Sequence, residues 1–265
     1  MVFYKQGGIH LDRGPALHKK IFNSRKSSLE LYQETFIGKK NLIELLKYEV
    51  ITAFFGSIPG AAGLLLRKTF YKGLLKTVGN NVIFGKNITL RHPHKISIGN
   101  DVIIDDNCVL DAKGENNQGI SVGNRVTIGR NSTLICKNGD IRIGSNVNIT
   151  PSVQLVVAPG GKIEIGDNVE IGSFSHFSAG TYSMKKNDIL PSAQGRISRG
   201  IILKDSVMIG AGVIILDGVT IGKSSIIGAG SVVTESIPER SVAFGIPARV
   251  MKERGGKRED TVRDR

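Results

Sequence analysis

Between residues 207 and 233 the chain reads VMIGAGVIILDGVTIGKSSIIGAGSVV, with apolar residues at every sixth position: Ile209, Ile215, Ile221, Ile227 and Val233. Glycine follows three of them, as Gly210, Gly222 and Gly228. A second apolar or small series stands four residues further on, at Val213, Val219, Ser225 and Ser231. A helix repeats at roughly 3.6 residues and a strand at about 2, so neither carries this pattern. A period of six fits a β-solenoid, in which short strands and tight turns stack coil upon coil.

The register runs back through most of the chain. Val122, Ile128 and Leu134 obey it, then Ile143, Ile149 and Leu155, then Ile165, Ile171 and Phe177. Insertions at 111–119, 137–142 and 156–164 separate the groups. Related units at 98–102, 143–147 and 165–169 (IGNDV, IGSNV, IGDNV) give one apolar residue to a core and then a turn. Glycine and asparagine suit such turns because they tolerate positive φ.

These repeats resemble the hexapeptide-repeat acyltransferases over residues 78–252. The most specific part is 201–252, with GAGSVVT at 228–234 and GIPARV at 245–250. The resemblance implies a mainly β protein built as a left-handed parallel β-helix, although parallel crossovers are normally right-handed. It also implies acetyl transfer from acetyl-CoA, and the most similar relatives act on cell-surface polysaccharides. The expected organisation is a basic N-terminal helical segment at 1–77 and the β-helix at 78–250. A short C-terminal helix and charged tail should follow at 251–265.

Charge is distributed unevenly within the net +13. Residues 1–76 hold 13 Lys/Arg against 5 Asp/Glu, whereas 77–249 hold 17 against 14. The basic excess therefore belongs to the N-terminal segment, a field that favours anionic lipid or nucleic acid. No nucleic-acid module or aromatic–basic interleaving is visible, so lipid ranks first and nucleic acid is not expected. Cys108 and Cys136 lack metal-ligand spacing and read as buried thiols in a reducing compartment. No secretory signal pattern opens the chain, and a cytoplasmic protein, peripheral at the membrane's cytoplasmic face, is expected.

Residues 1–40 show no firm periodicity. Residues 41–55 (NLIELLKYEVITAFF) predict a helix, 57–63 a break, and 64–77 a second helix. No charge occurs from 50 to 66, but Gly56, Pro59 and Gly60 interrupt that stretch, which is at the lower limit for a span. Two roles compete for 41–77: a cap over the open end of the solenoid, or an interfacial hairpin on an anionic membrane. Both can hold together.

His92 and His94 form an HxH pair, a weak metal signal without further ligands, and a polar turn is the preferred reading. Asp105 and Asp106 sit where turn aspartates are routine. Residues 183–199 break the period with a polar stretch carrying Lys185, Lys186, Asp188, Gln194, Arg196 and Arg199. A loop of this length inside a solenoid is usually functional, and in the family a comparable arm overhangs the acceptor groove.

Acyl transfer to a hydroxyl requires a base, donors for the tetrahedral oxyanion and a channel for CoA. The family's base is a histidine closing the second hexapeptide before the arm. Counting from Ile171, the hexapeptides are IGSFSH (171–176) and FSAGTY (177–182), so that place is taken by Tyr182. Phenol has a pKa near 10 against about 6.5 for imidazole, so ionising it at neutral pH costs about 4 kcal/mol. That offsets most of the usual gain of about 10²–10⁴-fold from general-base catalysis. His176, one hexapeptide earlier, is the alternative base, supplied across a subunit boundary or by the arm; a locally bonded turn histidine is its other reading.

Further positions carry the family pattern for CoA. Met208, Gly210, Ala211, Gly228, Ala229, Thr234 and Arg249 are the expected binding residues, with small side chains beside the pantetheine arm and Arg249 toward phosphate. Met208 replaces a usual tryptophan, and Glu235 a frequent lysine. The functional expectation is an O-acyltransferase, using acetyl-CoA without a metal, acting on a sugar or glycan precursor as a homotrimer. The alternative is a non-catalytic or weakly active scaffold or binding protein on the same fold, because of Tyr182. A zinc lyase ranks below both, since the repeats lack its several histidines.

Overall fold

The computed structural model describes residues 26–255. Its body is a parallel β-helix of about seven turns, bounded by three sheets. The first sheet stacks seven strands from Thr77–Val78 to Thr220–Ile221, and the third stacks seven from Thr89–Arg91 to Val232–Val233. The second holds nine, from Ile83–Phe84 through Ile226–Ile227 and on to a terminal hairpin. Strands of only two to four residues suffice, because each pairs in register with the coils above and below.

The six-residue series points inward. Ile209, Ile215, Ile221, Ile227 and Val233 are buried, as are Val207, Val213, Val219, Ser225 and Ser231 of the second series. The serines take corner positions because turn backbone satisfies their hydroxyls: Ser225 Oγ donates to Pro238 O at 2.7 Å and Ser231 Oγ to Gly228 O at 2.6 Å. At one corner Asn87, Asn107 and Asn131 adopt positive φ, where their side chains tolerate the left-handed region.

Among the described residues, three helices precede the coils: α1 (Ser28–Tyr32), α2 (Leu42–Phe55) and α3 (Gly60–Phe70). Residues 26–40 showed no period, yet Ser27 and Glu30 form a capping box for α1, which runs into a π-helical turn at Gln33–Ile37. Asn41 caps α2 through Ile43 N. α2 and α3 lie against the first coil. Tyr48 Oη donates to Leu90 O at 2.7 Å, Arg67 Nε donates to Phe84 O at 2.9 Å, and Tyr71 packs edge-on against Phe84. Each bond satisfies a carbonyl that the missing preceding coil would otherwise have met.

The expected short C-terminal helix is corrected. Among the described residues the chain ends in an antiparallel hairpin, Ser241–Gly245 with Ala248–Glu253, turning at Ile246–Pro247. Its first strand pairs with Ile226–Ile227, so the last coil's free edge recruits a strand in place of a helix. Residues 256–265 lie outside the described part.

Candidate active site

The expected arm is a hairpin growing out of one coil. The chain leaves the third sheet after His176–Ala179 and re-enters the first at Ile201–Leu203, with Thr181–Tyr182 pairing antiparallel to Arg196–Ile197 at the arm's base. Asp217, on the next coil, anchors the return: its carboxylate accepts from Arg199 N and Gly200 N, both at 2.9 Å. Gln194 organises the outer part, accepting from Lys186 N and donating to Lys186 O and Ile189 O.

Tyr182 stands at this base, 37% exposed. Arg196 Nη2 donates to its phenol oxygen at 2.7 Å, and the guanidinium carbon lies 4.7 Å from the ring centroid. The pair fixes a phenol and a cation side by side at the mouth of the arm. A guanidinium has five donors, so those not spent on Tyr182 can meet a phosphate or a developing oxyanion.

His176 begins the strand whose far end leads to Tyr182, so one protomer does not bring the two together. Its neighbours on adjacent coils are Gln154 and Ile214. Gln154 Oε1 lies 3.1 Å from His176 Nδ1. With the amide oxygen accepting, Nδ1 carries the proton and Nε2 keeps its lone pair, the arrangement a base needs. The same outer face carries the exposed apolar side chains of Ile214 and Leu216.

The residues expected to hold CoA occupy the last coils. Met208 is half exposed on the outer face of the second sheet, in register with Glu170 and Ile226. Ala211 and Ala229 are exposed at one corner, and Thr234 and Arg249 are exposed beside the terminal hairpin. Gly210 and Gly228 also have a purely structural reason. A Cβ on Gly210 would come within 2.5 Å of Ala229 N, and one on Gly228 within 2.8 Å of Phe244 Cβ. Arg249 faces Glu235 at 3.8 Å and also donates to Ala248 O.

Among the described residues no group of three or more metal-capable side chains occurs, at His92 and His94 or elsewhere. His92 is buried, with Nε2 2.9 Å from Glu34 O, Gly38 closing over its ring, and His94 stacked beside it. Burial pushes both imidazoles down to about 4, keeping them neutral. They fasten the Gln33–Ile37 turn to the first coil. Asp106 likewise serves a turn, accepting from Lys86 N at 2.8 Å. The cysteines are buried free thiols, and burial pushes Cys108 up to about 11.

Two residues received no individual role from the sequence. Arg196 could be placed at Tyr182 only once the arm's register was known. Phe174 takes the corner place of Asn87, Asn107 and Asn131 with φ 63°, yet its side chain is 74% exposed. A bulky residue in the left-handed region costs about 1–2 kcal/mol. Such a conformation with an exposed ring, two residues before His176, marks Phe174 as a candidate contact for substrate. Its signal in the sequence was an aromatic where the repeat calls for Asn or Gly.

The family model for bacterial transferase hexapeptide (six repeats) matches residues 200–235. The dTDP-4-amino-4,6-dideoxy-D-glucose acyltransferase of Escherichia coli is 33% identical over 183 residues, 69% of this chain and 84% of that enzyme. The N-acyltransferase AntD of Bacillus cereus, solved with dTDP and 3-hydroxybutyryl-CoA, aligns with a TM-score of 0.50 at 26% identity, over 71% of this chain and 88% of that one. A variant of AntD with dTDP and coenzyme A also gives 0.50 and 26%, over 77% and 92%. With a six-residue core series, an arm at the expected place and a relative matched over most of its length, the chain belongs to the hexapeptide-repeat acyltransferases.

Proposed function

We propose that the protein transfers an acyl group, acetyl in the first instance, from coenzyme A to a sugar that is a precursor of a cell-surface glycan. The observation that carries this reading is the arm hairpin with its paired Tyr182 and Arg196, built on the fold of sugar acyltransferases. The acceptor nucleophile attacks the thioester carbonyl, the tetrahedral oxyanion collapses, and the CoA thiolate leaves. Arg196 stabilises negative charge on the oxyanion or on an acceptor phosphate, and Tyr182 holds Arg196 in place.

Which acceptor atom reacts follows from proton bookkeeping. A hydroxyl needs its proton removed as it attacks, whereas a neutral amine attacks through its lone pair and sheds the proton afterwards. Tyr182 in the imidazole position and N-acylating relatives both support an amino sugar. The O-acyl reading draws on His176, whose Nε2 is free to accept a proton if a neighbouring protomer completes the site. Ile214 and Leu216 on the same outer face, with Ile135 and Val156 in the column next to Ser178, support a homotrimer packed there. A CoA thioester donor supports a cytoplasmic location.

The test is thiol release from acetyl-CoA with paired amino- and hydroxy-sugar nucleotides. Turnover with the amine alone supports N-acylation, and turnover with both supports the His176 route. No thiol release with any acceptor returns the protein to a scaffold role. Light scattering at three times 28.5 kDa is expected.

A further inference from the structure

We infer that the N-terminal cap is a docking face for an anionic lipid bilayer. α2 buries Leu45, Tyr48 and Ile51 against the first coil, yet its opposite side is equally apolar. Leu42, Ile43, Leu46, Val50 and Phe54 are exposed there, Ile43 by 73% and Phe54 by 66%. Phe70 of α3 continues the surface: it stacks on Phe55 at 4.2 Å, and a shallow groove runs between it, Ile43, Leu46 and Val50. α2 thus has a second apolar side that its packing on the first coil leaves uncovered, and a contiguous patch of this kind marks an interaction surface.

Charge selects the occupant. The acidic groups near this face are already engaged: Glu44 pairs with Lys39 at 3.5 Å, Glu34 with Lys40 at 2.8 Å, and Glu49 accepts from Tyr32. Lys47, Lys68, Lys72 and Lys76 have no ion pair with another described residue. Lys47 borders the groove and lies against Gly73, next to Lys72. An apolar face edged by Lys47 and Lys72, neither ion-paired with another described residue, matches acyl chains below and anionic headgroups at the rim. No described helix is long and apolar enough to cross a membrane, so the contact is interfacial.

The placement also orients the molecule. In the second sheet, Ile83 sits beside the cap, and Met208 follows five coils later. At about 4.8 Å per coil, the arm end stands roughly 24 Å from the cap. Docking therefore leaves the candidate active site in water, facing acceptors near the surface. In a cyclic trimer the three caps lie at one height along the axis, so three weak contacts act together.

The inference stands apart from the acyl-transfer reading, because vesicle binding requires neither donor nor acceptor. The experiment is co-sedimentation of the full chain with phosphatidylcholine vesicles, with and without 30% phosphatidylglycerol. Expected is binding at least fivefold stronger to the anionic vesicles and weakened by 0.5 M salt. The exposed-face variant L46S/V50S/F54S should lose at least tenfold, and K47E/K72E should lose binding to the anionic vesicles. Circular dichroism and light scattering of the variants check the fold. Wild type that stays in solution with anionic vesicles overturns the inference, as does equal binding by L46S/V50S/F54S. Dissociation of that variant into smaller oligomers, with wild type ignoring vesicles, assigns the face to a second copy.

Discussion

Arg249 Nη1 lies 3.8 Å from Glu235 Oε2, so the guanidinium nominated for a CoA phosphate is already opposite a carboxylate, and both side chains are solvent-exposed. Exposed pairs contribute little, about 0–1 kcal/mol, so a phosphate of higher charge can displace this one. Glu235→Gln should therefore tighten CoA binding by roughly two- to fivefold at low salt, while Arg249→Ala weakens it. Calorimetry with CoA at two ionic strengths checks both. Equal affinity of Arg249→Ala and wild type would remove Arg249 from the site.

Tyr182 and His176 make separable predictions. If proton removal from a hydroxyl limits turnover, Tyr182→His raises the acetyl-transfer rate by about 10-fold or more. If His176 Nε2 already serves as the base, His176→Ala abolishes hydroxyl acylation and Tyr182→His does little. With an amine acceptor, both substitutions leave the rate within a few-fold and Arg196→Ala slows it. Turnover of all variants with matched amino and hydroxy acceptors distinguishes the three outcomes.

The N-terminal turn should come loose in mild acid. The folded-state pKa of His92 is depressed to about 4 by burial, against about 6.5 in the unfolded chain. The unfolded state thus binds the extra proton first, so stability is fully present above about pH 6.5 and declines as pH falls toward 4. The loss is on the order of 1–3 kcal/mol, with His94 acting in the same sense. Urea unfolding from pH 7.5 to 4.5 should show wild type weakening faster than His92→Gln, and parallel curves would count against the linkage.

Phe174 sets conformation against contact. Phe174→Gly relieves the positive φ and should raise stability by about 1 kcal/mol, seen as a higher Tm. If the ring meets substrate, the same change raises KM. A variant that is stabilised with unchanged KM would make Phe174 a surface residue only.

Much of the fold was legible because a solenoid's contacts repeat. Each coil packs on a near copy of itself, so Ile209, Ile215 and Ile221 declare their burial by spacing alone. The helical stretch 41–55 announced α2, and the interrupted period announced the arm. The last residues were not legible as a strand: 248–253 is short and mixed in charge, and its pairing is decided by the free edge of Ile226–Ile227 through the preceding strand. Local propensity yields there to an unpaired backbone.

Residue identities alone determined the solenoid and its inward series, and the resemblance to the family put Tyr182 where an imidazole was expected. Only the tertiary structure decided that Arg196 lies on Tyr182, that Glu235 lies against Arg249, and that α2 buries one apolar side and exposes the other. The reason is physical: periodicity reports each residue's environment relative to its own coil, whereas these contacts join segments whose spacing follows no repeat.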